Sequence, residues 1–209
     1  PLFQLVFTTT HHSPFDIPPD RVEAVRPGES KHDLAVRYVD HTFARFIEQA
    51  RDSDYWDHTL IYMTADHNSR VYGDHLVPIH RYHIPGLVLG GPVEARKVPG
   101  ITSQIDMLPT LLSLLGVDSR HPAIGRDLTR APWRDGAGRA MMQFNGLQAY
   151  IEEERTVVLL PDQEPRFFEF DPQAQSLLPA AFDPDLKRRA LAYAHWGPLT
   201  IRKRAYRLP

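Results

Sequence analysis

The chain has 209 residues and nearly balanced charges, with 24 Lys and Arg, 26 Asp and Glu and a formal net charge of -2. Its basic residues are scattered rather than striped, so nucleic acid is not an expected partner. The absence of Cys excludes disulfides, zinc–thiolate sites and a thiol nucleophile within these residues. The length suits a compact α/β domain, and no apolar stretch approaches the ~20 residues that span a bilayer.

The first predicted elements form a β-α-β unit. Residues 2–10 have the apolar pattern of a strand, and the three prolines among residues 11–20 predict an extended surface loop after it. Apolar residues at helical spacing predict an amphipathic helix over residues 31–51, and residues 59–65 are the next predicted strand. The two strands are therefore expected to be parallel with a right-handed crossover. Because the sequence begins without Met and enters a predicted core strand at once, we expect a piece of a longer protein.

The strand predicted at 59–65 ends in an adjacent carboxylate and imidazole, Asp66 and His67. Open α/β folds build their sites at the carboxyl ends of parallel strands, and a carboxylate oxygen beside an imidazole nitrogen suits a divalent metal. A polar pair that merely faces solvent at a strand end is the alternative interpretation. The polar segment 68–82 that follows is the candidate lid or substrate loop.

The rest of the chain is predicted to change from α/β to antiparallel β structure. A strand is expected at 84–89, followed by a helix that begins at Thr102 or Ser103 and ends at Gly116, with Asp106 serving the backbone of the helix start. Turn-forming residues then separate four strand-like runs, which predict an antiparallel sheet. These runs are residues 139–144, 148–151, 156–160 and 166–170. A last helix is predicted at 185–196.

Four motifs occur in a fixed order along the first half of the chain. They are His-Ser-Pro-Phe at 12–15, Thr-Ala-Asp-His at 64–67, Arg-Tyr-His-Ile-Pro at 81–85 and Ser-Gln-Ile-Asp-Met-Leu-Pro-Thr at 103–110. Together they resemble the sulfatase branch of the alkaline phosphatase superfamily, and within it the lipoteichoic acid synthase and phosphoglycerol transferase group.

The resemblance covers roughly residues 1–116 and implies an α/β fold with a mainly parallel sheet flanked by helices. The strand-like runs and the last predicted helix add a C-terminal antiparallel extension and a terminal helix. Residues 1–116 would be the C-terminal portion of a sulfatase-like catalytic domain. Residues 117–209 would be a C-terminal subdomain with short antiparallel strands and a final helix.

The resemblance also implies roles for three residues, to which two arginines are added as candidate phosphate contacts. Asp66 and His67 would bind a divalent metal, with Mn²⁺ favoured and Mg²⁺, Ca²⁺ and Zn²⁺ as alternatives. His12 would hold the substrate phosphate or headgroup, and Arg70 and Arg81 are candidate contacts for the substrate phosphate. For His12, a solvated loop histidine is the alternative. The Thr nucleophile and an acidic metal ligand of the group have no matching segment here, so no catalytic residue is assigned.

The implied activity is a metal-dependent phosphoglycerol transfer or the hydrolysis of a phosphate or sulfate ester by an intact parent. An arylsulfatase-like hydrolase and a phosphoethanolamine transferase are alternatives of the same superfamily, and a catalytically incomplete binding or structural fragment is an alternative of another class. The chain alone is expected to be inactive. The expected partner is a phosphate- or sulfate-ester substrate, with a phospholipid headgroup or a glycan as acceptor. The resemblance implies a bacterial parent with a membrane anchor outside these residues and a periplasmic or cell-surface domain.

Overall fold

The computed structural model describes residues 2–18, 21, 25–68, 76–91, 93–130 and 138–205. Contacts within the chain divide it into two units. The first contains residues 1–59 and 90–92, and the second contains residues 60–89 and 93–209. The domain boundary that the sequence predicts after residue 116 stays a prediction.

The main element of the first unit is helix α1, Lys31–Arg51, which confirms the predicted helix. The Ser30 side chain accepts a hydrogen bond from the Asp33 amide at 3.1 Å, and the Asp33 carboxylate accepts one from the Ser30 amide at 3.4 Å. This capping box satisfies amide groups that have no partner within the first helical turn. Ala35, Val39 and Ala50 are the buried residues of the helix.

Residues 2–9 correct the first strand prediction, because they have no regular secondary structure. The apolar side chains among them are 69–89% exposed. An apolar run of this kind forms a strand only when a neighbouring strand takes up its backbone hydrogen bonds. Among the residues that the structure describes, 2–9 belong to neither sheet.

The second unit begins with a two-stranded sheet of β1, Ile61–Thr64, and β2, Gly86–Leu89. The two strands are antiparallel, with Ile61 opposite Leu89 and Thr64 opposite Gly86. Both strands lie where the sequence predicts them, but the prediction of a mainly parallel sheet is wrong for the described residues, whose two sheets are both antiparallel. The strand β2 comes next along the chain after β1 and runs beside it in the opposite direction.

A short 3₁₀ turn, Gln104–Asp106, leads into helix α2, Met107–Leu114. Ser103 and Asp106 form a capping box at this turn, so the predicted helix start is confirmed. Gly116 has φ +67°, a left-handed conformation typical of the residue that follows a helix, and its amide donates to the Ser113 carbonyl at 3.1 Å.

The C-terminal part of the second unit is a five-stranded antiparallel sheet in which each strand pairs with the next along the chain. Four of the strands confirm the four predicted runs, whereas the last was not predicted. The strands are β3 (Arg139–Phe144), β4 (Leu147–Glu152), β5 (Arg155–Leu159), β6 (Arg166–Asp171) and β7 (Ser176–Pro179). Helix α3, Pro184–Arg202, follows and extends six residues beyond its predicted end.

The five-stranded sheet is covered on both faces, as alternation along its strands requires. Tyr150 and Val157 belong to a buried cluster with Leu186 of α3, whereas Ile151 belongs to a second cluster with Val77. Val77 lies within the predicted lid segment 68–82. Its described part, residues 76–82, therefore contains core residues, and residues 69–75 lie outside the described chain. None of the described helices combines the length and the apolar character needed to cross a membrane.

Candidate functional site

Asp66 and His67 lie directly after β1, where the ladder with β2 has ended. The last pair of the ladder is Thr64 with Gly86, and the Thr64 hydroxyl donates to the Pro85 carbonyl at 2.9 Å. Beyond this point the chain turns, and the His67 amide donates to Asp66 Oδ1 at 2.9 Å. Both side chains are exposed, so a ligand from solvent reaches them.

The imidazole of His67 is held between two oxygen atoms. Nδ1 lies 2.8 Å from the Asn68 carbonyl oxygen, and Nε2 lies 3.4 Å from Asp66 Oδ2. A carbonyl oxygen only accepts, so Nδ1 carries a proton and donates it. In the neutral imidazole, Nε2 would then hold the lone pair that can bind a metal.

The Asp66 and His67 donors fit a divalent cation in type and spacing. A carboxylate oxygen and a neutral imidazole nitrogen suit Mn²⁺ and Mg²⁺. Their separation of 3.4 Å is less than twice a metal–ligand bond of about 2.1 Å, so one ion reaches both. Within the described ranges there is no group of three or more His, Asp or Glu residues that could hold a metal ion. Within the described residues the pair therefore offers two candidate ligands.

The side chain of Gln104 contacts the backbone of the segment that carries Asp66 and His67. Its side-chain nitrogen donates to the Ala65 carbonyl at 3.1 Å and to the Asp66 carbonyl at 3.0 Å. Sequence reasoning assigned no role to this residue. The Ser-Gln-Ile-Asp motif at 103–106 contains it, but only the fold brings the motif to the end of β1.

The turn that carries Gln104 is anchored by a buried ion pair. Asp106 accepts hydrogen bonds from the Ser103 amide at 2.9 Å, as predicted for a residue that serves the helix start, and from the Arg126 amide at 2.7 Å. Arg139 of β3 adds a contact at 2.9 Å that the sequence did not predict. Its guanidinium lies 4.7 Å from the ring centre of Tyr193. Although burial alone lowers the pKa of Arg139, the charge of Asp106 and the contact with Tyr193 raise it.

A cavity of about 230 Å³ opens beside Asp66 and His67. Its other wall comes from β3, and Tyr82 donates its hydroxyl hydrogen to the Gln143 carbonyl of that strand. Burial raises the pKa of the Tyr82 phenol, so this donor keeps its proton at neutral pH. The residues that line the cavity are Asp66, His67, Asn68, Tyr82, Ile84, Gln104, Met141, Met142 and Gln143.

The remaining predicted site residues are placed differently. His12 is exposed in a turn of the first unit, where its Nδ1 lies 2.9 Å from the Ser13 carbonyl oxygen. Arg81 is exposed in the 3₁₀ turn Ile79–Tyr82 and is not among the residues that line the cavity. Arg70 lies outside the described residues. Two of the predicted site residues, Asp66 and His67, thus lie together at the cavity of the second unit.

Comparisons with known proteins extend these observations. A family model described as Sulfatase matches residues 1–117. The chain is 26% identical over 159 residues to "Lipoteichoic acid synthase-like YvgJ" of Bacillus subtilis strain 168, which covers 61% of this chain and 24% of that protein. It is 24% identical over 161 residues to "Lipoteichoic acid synthase" of Staphylococcus saprophyticus, and the match covers 65% of this chain and 25% of that protein. The chain thus spans about a quarter of the length of these curated relatives.

Solved structures with a similar fold include a protein in the alkaline phosphatase superfamily from Vibrio parahaemolyticus. The TM-score is 0.89 at 36% identity, with 98% of this chain and 50% of that chain covered. The phosphonate monoester hydrolase of Agrobacterium radiobacter has a TM-score of 0.51 at 23% identity, and the match covers 84% of this chain and 43% of that chain. The similarity to this hydrolase concerns the fold alone. The described residues have the alkaline phosphatase-like fold.

Proposed function

The chain belongs to the sulfatase family, and we propose that it supplies two metal ligands, Asp66 and His67, to a site that acts on a phosphate or sulfate ester. Phosphoglycerol transfer is the favoured reaction, because one curated relative is named lipoteichoic acid synthase and another lipoteichoic acid synthase-like. The observation that carries the proposal is the geometry of the pair. His67 Nε2 faces Asp66 Oδ2 at 3.4 Å beside a cavity.

Mn²⁺ is the proposed cation, with Mg²⁺, Ca²⁺ and Zn²⁺ as alternatives. When bound, such an ion withdraws charge from the nonbridging oxygens of the ester. The residues of this chain would supply the ligand atoms for the ion. Asp66 contributes a negative charge, and the Asn68 carbonyl holds the His67 proton on Nδ1, so that Nε2 keeps its lone pair.

We also propose that the substrate phosphate is held by His12, Arg70 and Arg81. A guanidinium donates two parallel hydrogen bonds to a phosphate, and a neutral imidazole donates one. The substrate would be a phosphate or sulfate ester, and the acceptor would be a phospholipid headgroup or a glycan. By analogy with the family, the domain would work outside the cytoplasmic membrane in an anchored parent.

The chain by itself is proposed to have no turnover. Covalent catalysis of the kind expected here needs an activated hydroxyl or thiol beside the metal. The residues that line the cavity include no Ser, Thr or Cys. A Ser, Thr or Cys nucleophile would therefore come from outside the lining residues.

Titration with Mn²⁺ tests the metal proposal, with free Mn²⁺ followed by electron paramagnetic resonance. We expect weak binding by the unaltered chain and none by Asp66→Ala. Asp40→Ala is the matched control, because it removes an exposed carboxylate on α1 and should leave binding unchanged. At a hundredfold excess of Mn²⁺ over Kd, binding stabilises the folded chain by at most about 2.7 kcal/mol. Equal affinity in the unaltered chain and Asp66→Ala, or no binding by either, contradicts the proposal.

A further inference from the structure

The segment that carries Asp66 and His67 lies beyond the backbone ladder of the sheet, and the Thr64 hydroxyl of β1 lies 3.1 Å from the Ala65 carbonyl oxygen. The β1–β2 ladder ends at Thr64 with Gly86, so the next peptide groups lie beyond it. Two of their carbonyl oxygens, those of Ala65 and Asp66, accept hydrogen bonds from a single side chain, that of Gln104. An amide nitrogen carries two hydrogens, so each carbonyl takes one of them.

We propose that Gln104 is the positioning residue of the Asp66–His67 pair, which it holds in a conformation ready for metal by fixing the two peptide groups around Asp66. The inference rests on the metal role proposed above and adds a residue to it. Gln104 is 38 residues away from Asp66 in sequence. It touches the backbone of the pair and is not itself proposed as a ligand.

Gln104 is able to fix this backbone because its own backbone is held. It opens the 3₁₀ turn Gln104–Asp106, and its carbonyl accepts a hydrogen bond from the Met107 amide. At the end of the turn, Asp106 is buried and contacts Arg139 of β3 at 2.9 Å. The path from the five-stranded sheet to the pair thus runs from Arg139 through Asp106 and the turn to Gln104.

The two hydrogen bonds restrict the rotations that would move the carboxylate of Asp66 away from His67. Fixing the peptide groups on either side of the Asp66 α-carbon limits both of its backbone torsions. A ligand pair that is already ordered spends less free energy on ordering when an ion binds. Loss of an outer hydrogen-bonding partner of a metal ligand typically lowers affinity 10- to 100-fold.

The substitution Gln104→Met tests the proposal, because methionine has a similar length and cannot donate. Gln163→Met is the matched control, since Gln163 is an exposed glutamine in the β5–β6 connection. The first measurement is the backbone order parameter of residues 65–67 in the metal-free chain, by ¹⁵N relaxation. In Gln104→Met we expect it to fall from about 0.85 to below about 0.6, with α2 unchanged. The control should keep the value of the unaltered chain.

The second measurement is the Mn²⁺ dissociation constant. It should rise about 10- to 100-fold in Gln104→Met and stay constant in Gln163→Met, while both variants keep the melting temperature of the metal-free chain. A residue with only a structural role would lower the melting temperature and leave the order of 65–67 and the affinity unchanged. Unchanged order parameters, or unchanged affinity where the unaltered chain binds Mn²⁺, overturn the inference. If the unaltered chain binds no Mn²⁺, the proposed function fails and the order parameters alone decide on Gln104.

Discussion

Two pairs of ionisable side chains in the second unit have opposite surroundings. Asp106 and Arg139 lie 2.9 Å apart, and each side chain is 2% exposed. Asp66 and His67 lie 3.4 Å apart, and their side chains are 58% and 74% exposed. The first pair has several partners from the surrounding protein, including Ser103, Arg126 and Tyr193.

The two pairs differ in what satisfies their polar groups, which is the surrounding protein for the buried pair and solvent for the exposed pair. A buried charge is tolerated only when its hydrogen bonds are made by the protein, so Asp106 and Arg139 are already satisfied. Water satisfies an exposed pair, which can exchange that water for an ion. The comparison therefore predicts large effects on stability at the buried pair and small ones at the exposed pair.

The largest effect is expected for Arg139→Met. The substitution leaves the carboxylate of Asp106 buried without its cation, and breaking a buried pair in this way costs about 3–5 kcal/mol. Urea unfolding followed by circular dichroism measures the change. The same variant also removes the cation that lies over the Tyr193 ring.

Arg155→Met is the control for this experiment. Arg155 contacts Asp183 at 3.0 Å, but its side chain is half exposed, and exposed pairs contribute about 0–1 kcal/mol. If Arg139→Met lowers the free energy of unfolding no more than Arg155→Met does, the idea that a buried pair contributes more to stability than an exposed pair is contradicted.

An intermediate effect is expected at the start of α3. Asp183 is the residue before the helix, and its Oδ1 accepts hydrogen bonds from the amides of Leu186 at 2.9 Å and Asp185 at 3.0 Å. Asp183→Ala should cost about 1 kcal/mol at pH 7 in urea unfolding. Asp185→Ala removes an exposed carboxylate from the same turn without loss of these caps, and should cost about 0.5 kcal/mol or less.

The effect of Asp183→Ala should depend on pH. The Leu186 amide, followed by the Asp185 amide and the charges of Arg155 and Arg189, holds the pKa of Asp183 below its ordinary 3.8. A lowered pKa in the folded chain means that the carboxylate stabilises the fold above pH 3.8 and loses this contribution as the pH falls below that value. The unaltered chain and Asp183→Ala should therefore converge in stability in acid. A difference that stays constant down to pH 2 would contradict the capping role.

The sequence predicted the elements that local signals determine. Helix α1 begins and ends where its apolar spacing predicts, and four strands of the C-terminal sheet lie at their predicted runs. Strand β7, Ser176–Pro179, was missed because it is short and ends in proline. The end of α3 was predicted too early, since Gly197 and Pro198 are typical helix breakers and yet lie within the helix.

Features that depend on distant partners were beyond local reasoning. The strand predicted at 2–10 has a suitable pattern but is in no described sheet, and the direction of β1 relative to β2 is a property of their pairing. At the site, Asp66 and His67 were predicted together because they are adjacent in sequence. The contacts of Gln104 with residues 65 and 66, and of Arg139 with Asp106, join segments more than 30 residues apart.

The smallest effect on stability is expected at the exposed pair itself. Asp66→Asn and His67→Gln keep the size and polarity of the side chains, and both positions are exposed, so each should change the free energy of unfolding of the metal-free chain by less than about 0.5 kcal/mol. Urea unfolding in the presence of a chelator measures this, because bound Mn²⁺ would add its own stabilisation to the unaltered chain alone. Repeating the measurement with saturating Mn²⁺ should then separate the unaltered chain from both variants. If either variant loses more than about 1 kcal/mol of its free energy of unfolding in the presence of the chelator, the pair stabilises the end of β1. The contrast with Asp106 and Arg139 would then no longer hold.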